Sequence, residues 1–194
     1  MNLSIDVKTV TLSLLLTRGS KFPTWEIPQT YKLIDECILD DANKVITIRF
    51  NIDSDQDSIV LHNIGKLAND TVIDAHGKIL SDQILEINGA WVNDIYIEGW
   101  VINDYSTFTP VYSQNAITYA HKTGTTLPTV EHTRKLYANG TWQLSFTRPF
   151  FYWYNQILME SINKSISSNW VKQSHLGLAD QQVLDKLDQI LTSL

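Results

Sequence analysis

The stretch LSIDVKTVTLSLLL, residues 3–16, decides the fold class of this chain. Its apolar residues form two alternating sets separated by a slip in phase: Leu3, Ile5 and Val7, then Val10, Leu12, Leu14 and Leu16. A period of two is typical of a β-strand with one buried face, and a slip of one residue indicates a bulge or a bend between two sheets. The stretch therefore predicts a strand that contributes one face to a hydrophobic core.

Short runs of β-branched and aromatic residues, separated by turn residues, continue this pattern along the chain. The runs are residues 33–39, 44–52, 59–64, 72–79, 84–92, 95–102 and 117–120. Asn93 and Asp94 predict a tight hairpin between 84–92 and 95–102, because both residue types tolerate positive φ. Asn139 and Gly140 predict a second hairpin, whose arms are residues 136–137 and 141–146. This succession predicts a mainly β protein, an antiparallel β-sandwich or jelly roll.

The pattern changes to a helical one at Pro149. Apolar residues then recur three and four apart, which predicts a helix over about residues 150–162 with Pro149 near its first turn. A polar, Ser-rich stretch at 163–177 predicts a linker, and residues 179–194 predict a second, amphipathic helix. The expected domains are a β-sandwich at residues 1–148 and a C-terminal helical appendage at 149–194.

The predicted terminal helix is a candidate docking element. Its apolar positions are Val183, Leu184, Leu187, Ile190, Leu191 and Leu194. Such a helix either packs on its own domain or docks on another protein, and two heptads are too few to specify a coiled coil alone. Residues 178–194 contain one Lys against three Asp, so the outer face is acidic. The partner surface expected for docking is apolar with a basic rim.

Composition excludes several classes of function. The chain has 194 residues, 15 basic and 21 acidic, for a net charge of −6, which disfavours general attraction to nucleic acid. It is 43% hydrophobic and 19% charged, a balance that rules out disorder. No apolar run is long enough to insert into a membrane, and the start lacks the features of a signal peptide, so folding in a cytoplasm is expected. No nucleophile elbow, P-loop, dinucleotide or zinc motif is present, which favours a non-enzymatic protein.

Two sets of side chains are candidate ligand contacts. Trp25 and Trp170 lie in loop-like segments, where an exposed aromatic face can stack on a sugar ring, whereas Trp91, Trp142 and Trp153 are expected in the core. The second set is Asp53, Asp55 and Asp57, whose alternation can gather oxygen atoms around Ca²⁺. The same spacing is also typical of a solvated loop whose side chains bond their own backbone. No other cofactor is expected.

Two longer stretches resemble a known group of proteins. The first is NDTVIDAHGKILSDQILEINGAWVNDIYIEGWVI, residues 69–102, followed by TFTPVYS, residues 107–113. The second is LYANGTWQLSFTRPFFYWYNQIL, residues 136–158. Together they resemble small β-sandwich proteins encoded by large tailed bacteriophages, in which a strand of the type NGTWxhxFxxPFhxWh (h, apolar) passes into a C-terminal helix. Such proteins are similar in architecture to calcium-dependent sugar-binding jelly rolls.

The resemblance implies a structural component of a phage particle, in its tail, baseplate or capsid surface, made in the host cytoplasm. Other virion proteins, or further copies of this chain, are then the expected partners. The terminal helix would serve as the attachment element, and no catalytic residues come with the resemblance. The alternative is a carbohydrate-binding module that recognises glycans on the host surface.

Overall fold

The structure is a computed structural model that describes residues 8–18, 24–40, 44–53, 55–67, 69–74 and 79–173. Two antiparallel sheets form a β-sandwich, and a long helix follows. The predicted fold class, a mainly β antiparallel sandwich with C-terminal helical structure, is confirmed. The chain divides into two compact units, Met1–Phe146 and Thr147–Leu194.

The elements follow one another along both units. The strands are β1 (Lys8–Arg18), β2 (Trp25–Glu26), β3 (Lys32–Asp40), β4 (Val45–Ile52), β5 (Ser58–Asn63), β6 (Val72–Ile73), β7 (Ile79–Ser81), β8 (Ile84–Val92), β9 (Ile95–Ile97), β10 (Ser106–Val111), β11 (Lys135–Leu136) and β12 (Asn139–Ser145). The helices are α1 (Gly99–Tyr105), α2 (Gln114–Thr123) and α3 (Phe150–Gln173). No helix among those described is long and apolar enough to cross a lipid bilayer.

The first sheet has the order β11-β8-β1-β4-β3, with β9 also paired to β8. The second has the order β10-β12-β5-β2, and β6 pairs with β7 apart from both. Alternate residues of β1 form the centre of the core: Val10, Leu12, Leu14 and Leu16. The predicted alternation over residues 10–16 is thus confirmed, whereas the predicted slip begins at Val7, outside the described residues.

A bulge does occur against β1, in its partner β8. Ser13 pairs with Gly89 but Leu14 pairs with Ile87, so Asn88 is an extra residue on β8. Asn88 is exposed, and the residues on both sides of it are buried. The bulge therefore lets both halves of β8 direct apolar side chains into the core.

The first predicted hairpin is confirmed at its turn. Asn93 and Asp94 have φ angles of 49° and 64° and join β8 to β9. The second arm is wrong beyond Ile97, because α1 begins at Gly99. Short apolar runs such as residues 99–102 fit a strand or a buried helix equally well in sequence, and Val101 and Ile102 are fully buried here.

The second predicted hairpin is wrong. β11 pairs with β8 in the first sheet, whereas β12 pairs with β5 and β10 in the second. Asn139 and Gly140 are the first residues of β12, with Gly140 at φ 152°. A Cβ at Gly140 would lie 2.3 Å from the backbone oxygen of Thr109, so glycine permits the close approach of β10.

The other helices also differ from the sequence prediction. The strand predicted at residues 117–120 is part of α2, which is capped by Ser113 and ends at Gly124 with φ 69°. α3 covers the predicted helix and continues through residues 163–173, which the Ser-rich composition predicts to be linker. The predicted terminal helix at 179–194 lies outside the described residues, as do its candidate docking side chains.

Candidate functional site

The sandwich unit contains a cleft of about 510 Å³ beside α2. Three parts of the chain line it: residues 111–127, which include α2, residues 137–139, where the chain passes from one sheet to the other, and five residues of the segment that follows β5, namely Lys66, Leu67, Thr71, Ile79 and Asp82. The cleft thus lies beside the passage between the two sheets, next to α2 and β7.

A buried ion pair forms the floor of the cleft. Lys66 Nζ lies 2.6 Å from Asp82 Oδ1, and the two side chains are only 12% and 9% exposed. The same ammonium group donates to the backbone oxygen of Tyr137. Asp82 Oδ1 also accepts hydrogen bonds from Thr71 Oγ1 at 2.7 Å and from the backbone N–H of Gln83 at 2.9 Å. Several donors therefore hold the carboxylate, as a buried charge requires.

The backbone of Lys66 is fixed by the side chain of Asn139. The N–H of Lys66 donates to Asn139 Oδ1, and Asn139 Nδ2 donates to the oxygen of Lys66, both at 2.9 Å. The side-chain amide of Asn139 thereby makes the two hydrogen bonds that a neighbouring strand would make, and it connects the segment after β5 to the start of β12. This contact places the ammonium group over Asp82.

Two tyrosines form a hydrogen-bonded chain at one wall. Tyr137 Oη donates to Glu131 Oε2 at 2.7 Å and lies 3.2 Å from Tyr112 Oη, which donates to the oxygen of Pro128 at 3.0 Å. The ring of Tyr137 packs edge-on against Phe108. Burial first, and then the bonds to Tyr112 and Glu131, raise the pKa of Tyr137 well above its usual range. Tyr137 is therefore a neutral donor at physiological pH.

The rim of the cleft, in contrast, is apolar and exposed. Leu67 and Val111 are 64% and 65% exposed, and Ile79 and Tyr119 are 48% and 42% exposed. Ala116 and Ala120 lie one turn apart on the cleft side of α2, where their small side chains leave room above the floor. We call Leu67, Ile79, Val111 and Tyr119 the apolar rim. This rim is suited to hold an apolar or aromatic group in place by burial.

The sequence-predicted aromatic residues lie elsewhere. Trp25 is half-buried in β2 and lines a separate, open cavity with Glu26, Gln29 and Glu36. The side chain of Trp170 lies outside the described part of the chain. Trp142 and Trp153 are buried as expected, and Trp142 Nε1 donates to Ser106 Oγ at 2.9 Å. Trp91 is only half-buried, with its ring tilted against Tyr96 on the neighbouring strand.

The three aspartates of the calcium hypothesis are all exposed. The backbone oxygen of Asp53 accepts from the N–H of Gln56 at 3.0 Å, which closes a turn between β4 and β5, and the backbone oxygen of Asp57 accepts from the N–H of Phe146 beyond the end of β12. In the residues that the structure describes, no three His, Cys, Asp or Glu side chains are grouped closely enough to hold a metal ion. These residues lie between two strands, as the loop interpretation predicts, and the hydrogen bond that closes the turn joins backbone atoms.

Sequence reasoning missed the residues of the cleft. Two residues in the sequence could have indicated that Tyr119 lies on a helix. They are Ser113, which caps the N-terminus of α2, and Gly124, which ends the helix in the left-handed conformation. No local signal connects Lys66 with Asp82, because their pairing depends on how two connections fold against one another. No family model, curated protein or solved structure matches this chain.

Proposed function

We propose that this chain is a non-enzymatic structural component of a tailed-phage particle, in the tail, baseplate or capsid surface, made in the host cytoplasm. In this proposal the β-sandwich is a rigid body that binds a neighbouring virion protein through its cleft. The apolar rim carries the proposal, and the resemblance of residues 69–113 and 136–158 to phage β-sandwich proteins supports the setting.

The floor of the cleft favours binding over catalysis. Lys66 and Asp82 are charged groups of the kind that enzymes use for proton transfer, but each already has a charged partner and further hydrogen bonds. A catalytic acid or base needs a free position facing the substrate. Here the pair stabilises the walls of the cleft, which leaves the rim to contact a partner.

The chemistry of the rim points to an apolar segment of protein as the occupant. Leu67, Ile79 and Val111 expose branched aliphatic side chains, which gain most from contact with similar side chains. Contiguous exposed apolar surface of this kind commonly marks a protein-binding site. The terminal residues 179–194 are proposed as a second attachment element, on an apolar surface with a basic rim.

Particles that carry variants of this chain test the proposal. Val111→Asp places a charge on the apolar rim, and Val130→Asp is the matched control, since Val130 is 54% exposed and does not line the cleft. Quantitative mass spectrometry of purified particles should find the wild-type and Val130→Asp chains at equal copy number. Val111→Asp should be depleted at least about ten-fold, the effect of roughly 1.4 kcal/mol. Absence of the wild-type chain from purified particles would overturn the virion proposal.

The terminal segment is tested in the same assay. Deleting residues 179–194 is expected to remove the chain from particles while the melting temperature of the sandwich stays the same. Unchanged incorporation of the shortened chain would contradict the docking role of Val183, Leu187 and their neighbours. The cleft would then be the sole proposed contact.

A glycan is the second candidate occupant, because tyrosines line the cleft. Tyr112, Tyr119 and Tyr137 can stack on or bond to a sugar, and Tyr119 is 42% exposed. A glycan array with the wild-type chain, with and without Ca²⁺, tests this. Binding lost in Tyr119→Ala but kept in Trp100→Ala would support the cleft; loss in Trp25→Ala would instead support the cavity beside β2. A blank array in both conditions would reject a glycan.

A further inference from the structure

α3 is apolar on two opposite faces. One face consists of Phe150, Trp153, Tyr154 and Ile157, each no more than 8% exposed. The other consists of Tyr152, Met159, Ile162 and Ile166, which are 49–71% exposed. At 3.6 residues per turn the centres of the two sets lie roughly 170° apart around the helix. We call the exposed set the outer stripe.

The outer stripe has the spacing of a coiled-coil seam. Met159 follows Tyr152 by seven residues, and Ile162 and Ile166 follow at steps of three and four. Asn155, also exposed, occupies the one remaining seam position. A surface helix of a globular protein ordinarily has a single apolar stripe. A second stripe with heptad spacing is typical of a helix that packs against another helix.

The residues beside the stripe favour an identical helix as the partner. The flanking positions, which face a neighbouring helix in a coiled coil, are all uncharged: Gln156, Leu158, Asn163 and Ser165. Two copies can therefore pair without bringing like charges together. In a parallel pair the Asn155 side chains of the two copies also meet, and an amide can both donate to and accept from an identical amide.

We propose that the outer stripe of α3 is a self-association surface, on which copies of this chain pair in parallel and in register. Polar seam residues such as Asn155 weaken such a pair but specify its register. The inference does not depend on a role in phage particles. A monomeric chain found in particles would refute the inference and leave the proposed function standing.

Sedimentation equilibrium of the full chain tests the proposal. The wild-type protein should have at least twice the 22.2 kDa mass of one chain. The double substitution Ile162→Asp, Ile166→Asp should weaken association at least about ten-fold and yield the monomer mass. Lys164→Asp is the matched control, because Lys164 is exposed on the same turns but off the stripe, and it should leave the mass unchanged. Circular dichroism should show the same fold in all three.

Disulfide formation tests the parallel arrangement in a protein that retains the other three residues of the stripe. Under mild oxidation Ile166→Cys should form a covalent dimer several-fold faster than Lys164→Cys. The wild-type chain measures how much dimer forms through Cys37, the single cysteine of the natural sequence. A monomeric wild-type chain, or an oligomer whose mass the aspartates leave unchanged, would overturn self-association through the stripe. Equal rates for the two cysteine variants would overturn the parallel register.

Discussion

The floor and the rim of the cleft are built on opposite principles. The floor is polar and buried: Lys66 forms an ion pair with Asp82, and the side chain of Asn139 bonds the backbone of Lys66. The rim is apolar and exposed, and its side chains Leu67 and Val111 have about two thirds of their surface in water. We therefore expect the floor to stabilise the fold and the rim to contribute little to its stability. Three substitutions in the cleft test this division, and a fourth, at Gly140, tests the strand packing beside it; they follow in order of expected effect on stability.

The largest effect is expected for Lys66→Met. Removing the ammonium group leaves the carboxylate of Asp82 buried without its charged partner, which costs about 3–5 kcal/mol of unfolding free energy. Arg49→Met is the control, because the Arg49–Asp94 pair is exposed and its atoms are 4.0 Å apart. That change should stay within about 1 kcal/mol. Equal losses in urea unfolding would show that the buried pair stabilises the fold no more than the exposed pair does.

Gly140→Ala is expected to be the next most damaging change. The new Cβ would meet the Thr109 oxygen at 2.3 Å, so β10 or β12 must shift, at a cost of about 1–3 kcal/mol. Gly124→Ala also places alanine at positive φ but meets no atom within 4 Å. It should lose only the conformational term of about 1 kcal/mol. A control that melts as low as Gly140→Ala would contradict the steric explanation.

Tyr137→Phe should cost about 1 kcal/mol near neutral pH, through the loss of its bond to Glu131. Because the folded-state pKa of Tyr137 is raised, its contribution is complete below the unfolded pKa of about 10 and is lost as pH rises above it. The stability advantage of the wild-type chain over the variant should therefore shrink above pH 10. Urea titrations from neutral to alkaline pH measure this, and a constant difference would contradict it.

The smallest effect on stability is expected at the rim. Leu67→Ser removes an exposed side chain and should change the unfolding free energy by no more than about 0.5 kcal/mol. Incorporation into particles should nevertheless fall, as for Val111→Asp. A large drop in melting temperature would mean that the rim supports the fold, and the distinction between floor and rim would fail.

The sandwich could be predicted from sequence because its strands carry the period of two. β4 alternates buried residues with more accessible ones along its whole length, alternate apolar residues of β1 and β8 are buried in the core, and the predicted range 84–92 matches β8 residue for residue. The helices α1 and α2 could not be predicted, because residues 99–102 and 117–120 are apolar runs too short to show either a helical or a strand periodicity. Their helical state depends on what they pack against.

The cleft was beyond prediction for a related reason. Asn139 and Gly140 are a strong turn signal locally, but residues 137–139 carry the chain from one sheet to the other, where β12 finds its partners in distant β5 and β10. Tertiary pairing overrides the local preference. The prediction for Ser-rich residues 163–173 differed from the structure because serine and asparagine disfavour a helix only weakly.

The passage of residues 137–139 between the sheets has a practical consequence. An occupant of the proposed binding cleft would contact a segment that is anchored in both sheets, so its binding would stabilise the folded sandwich rather than one loop. A ligand at 100 times its dissociation constant adds about 2.7 kcal/mol to the stability of the folded state. Thermal-shift screening can therefore detect the occupant before its identity is known, with Val111→Asp, whose rim carries a charge, as the reference protein.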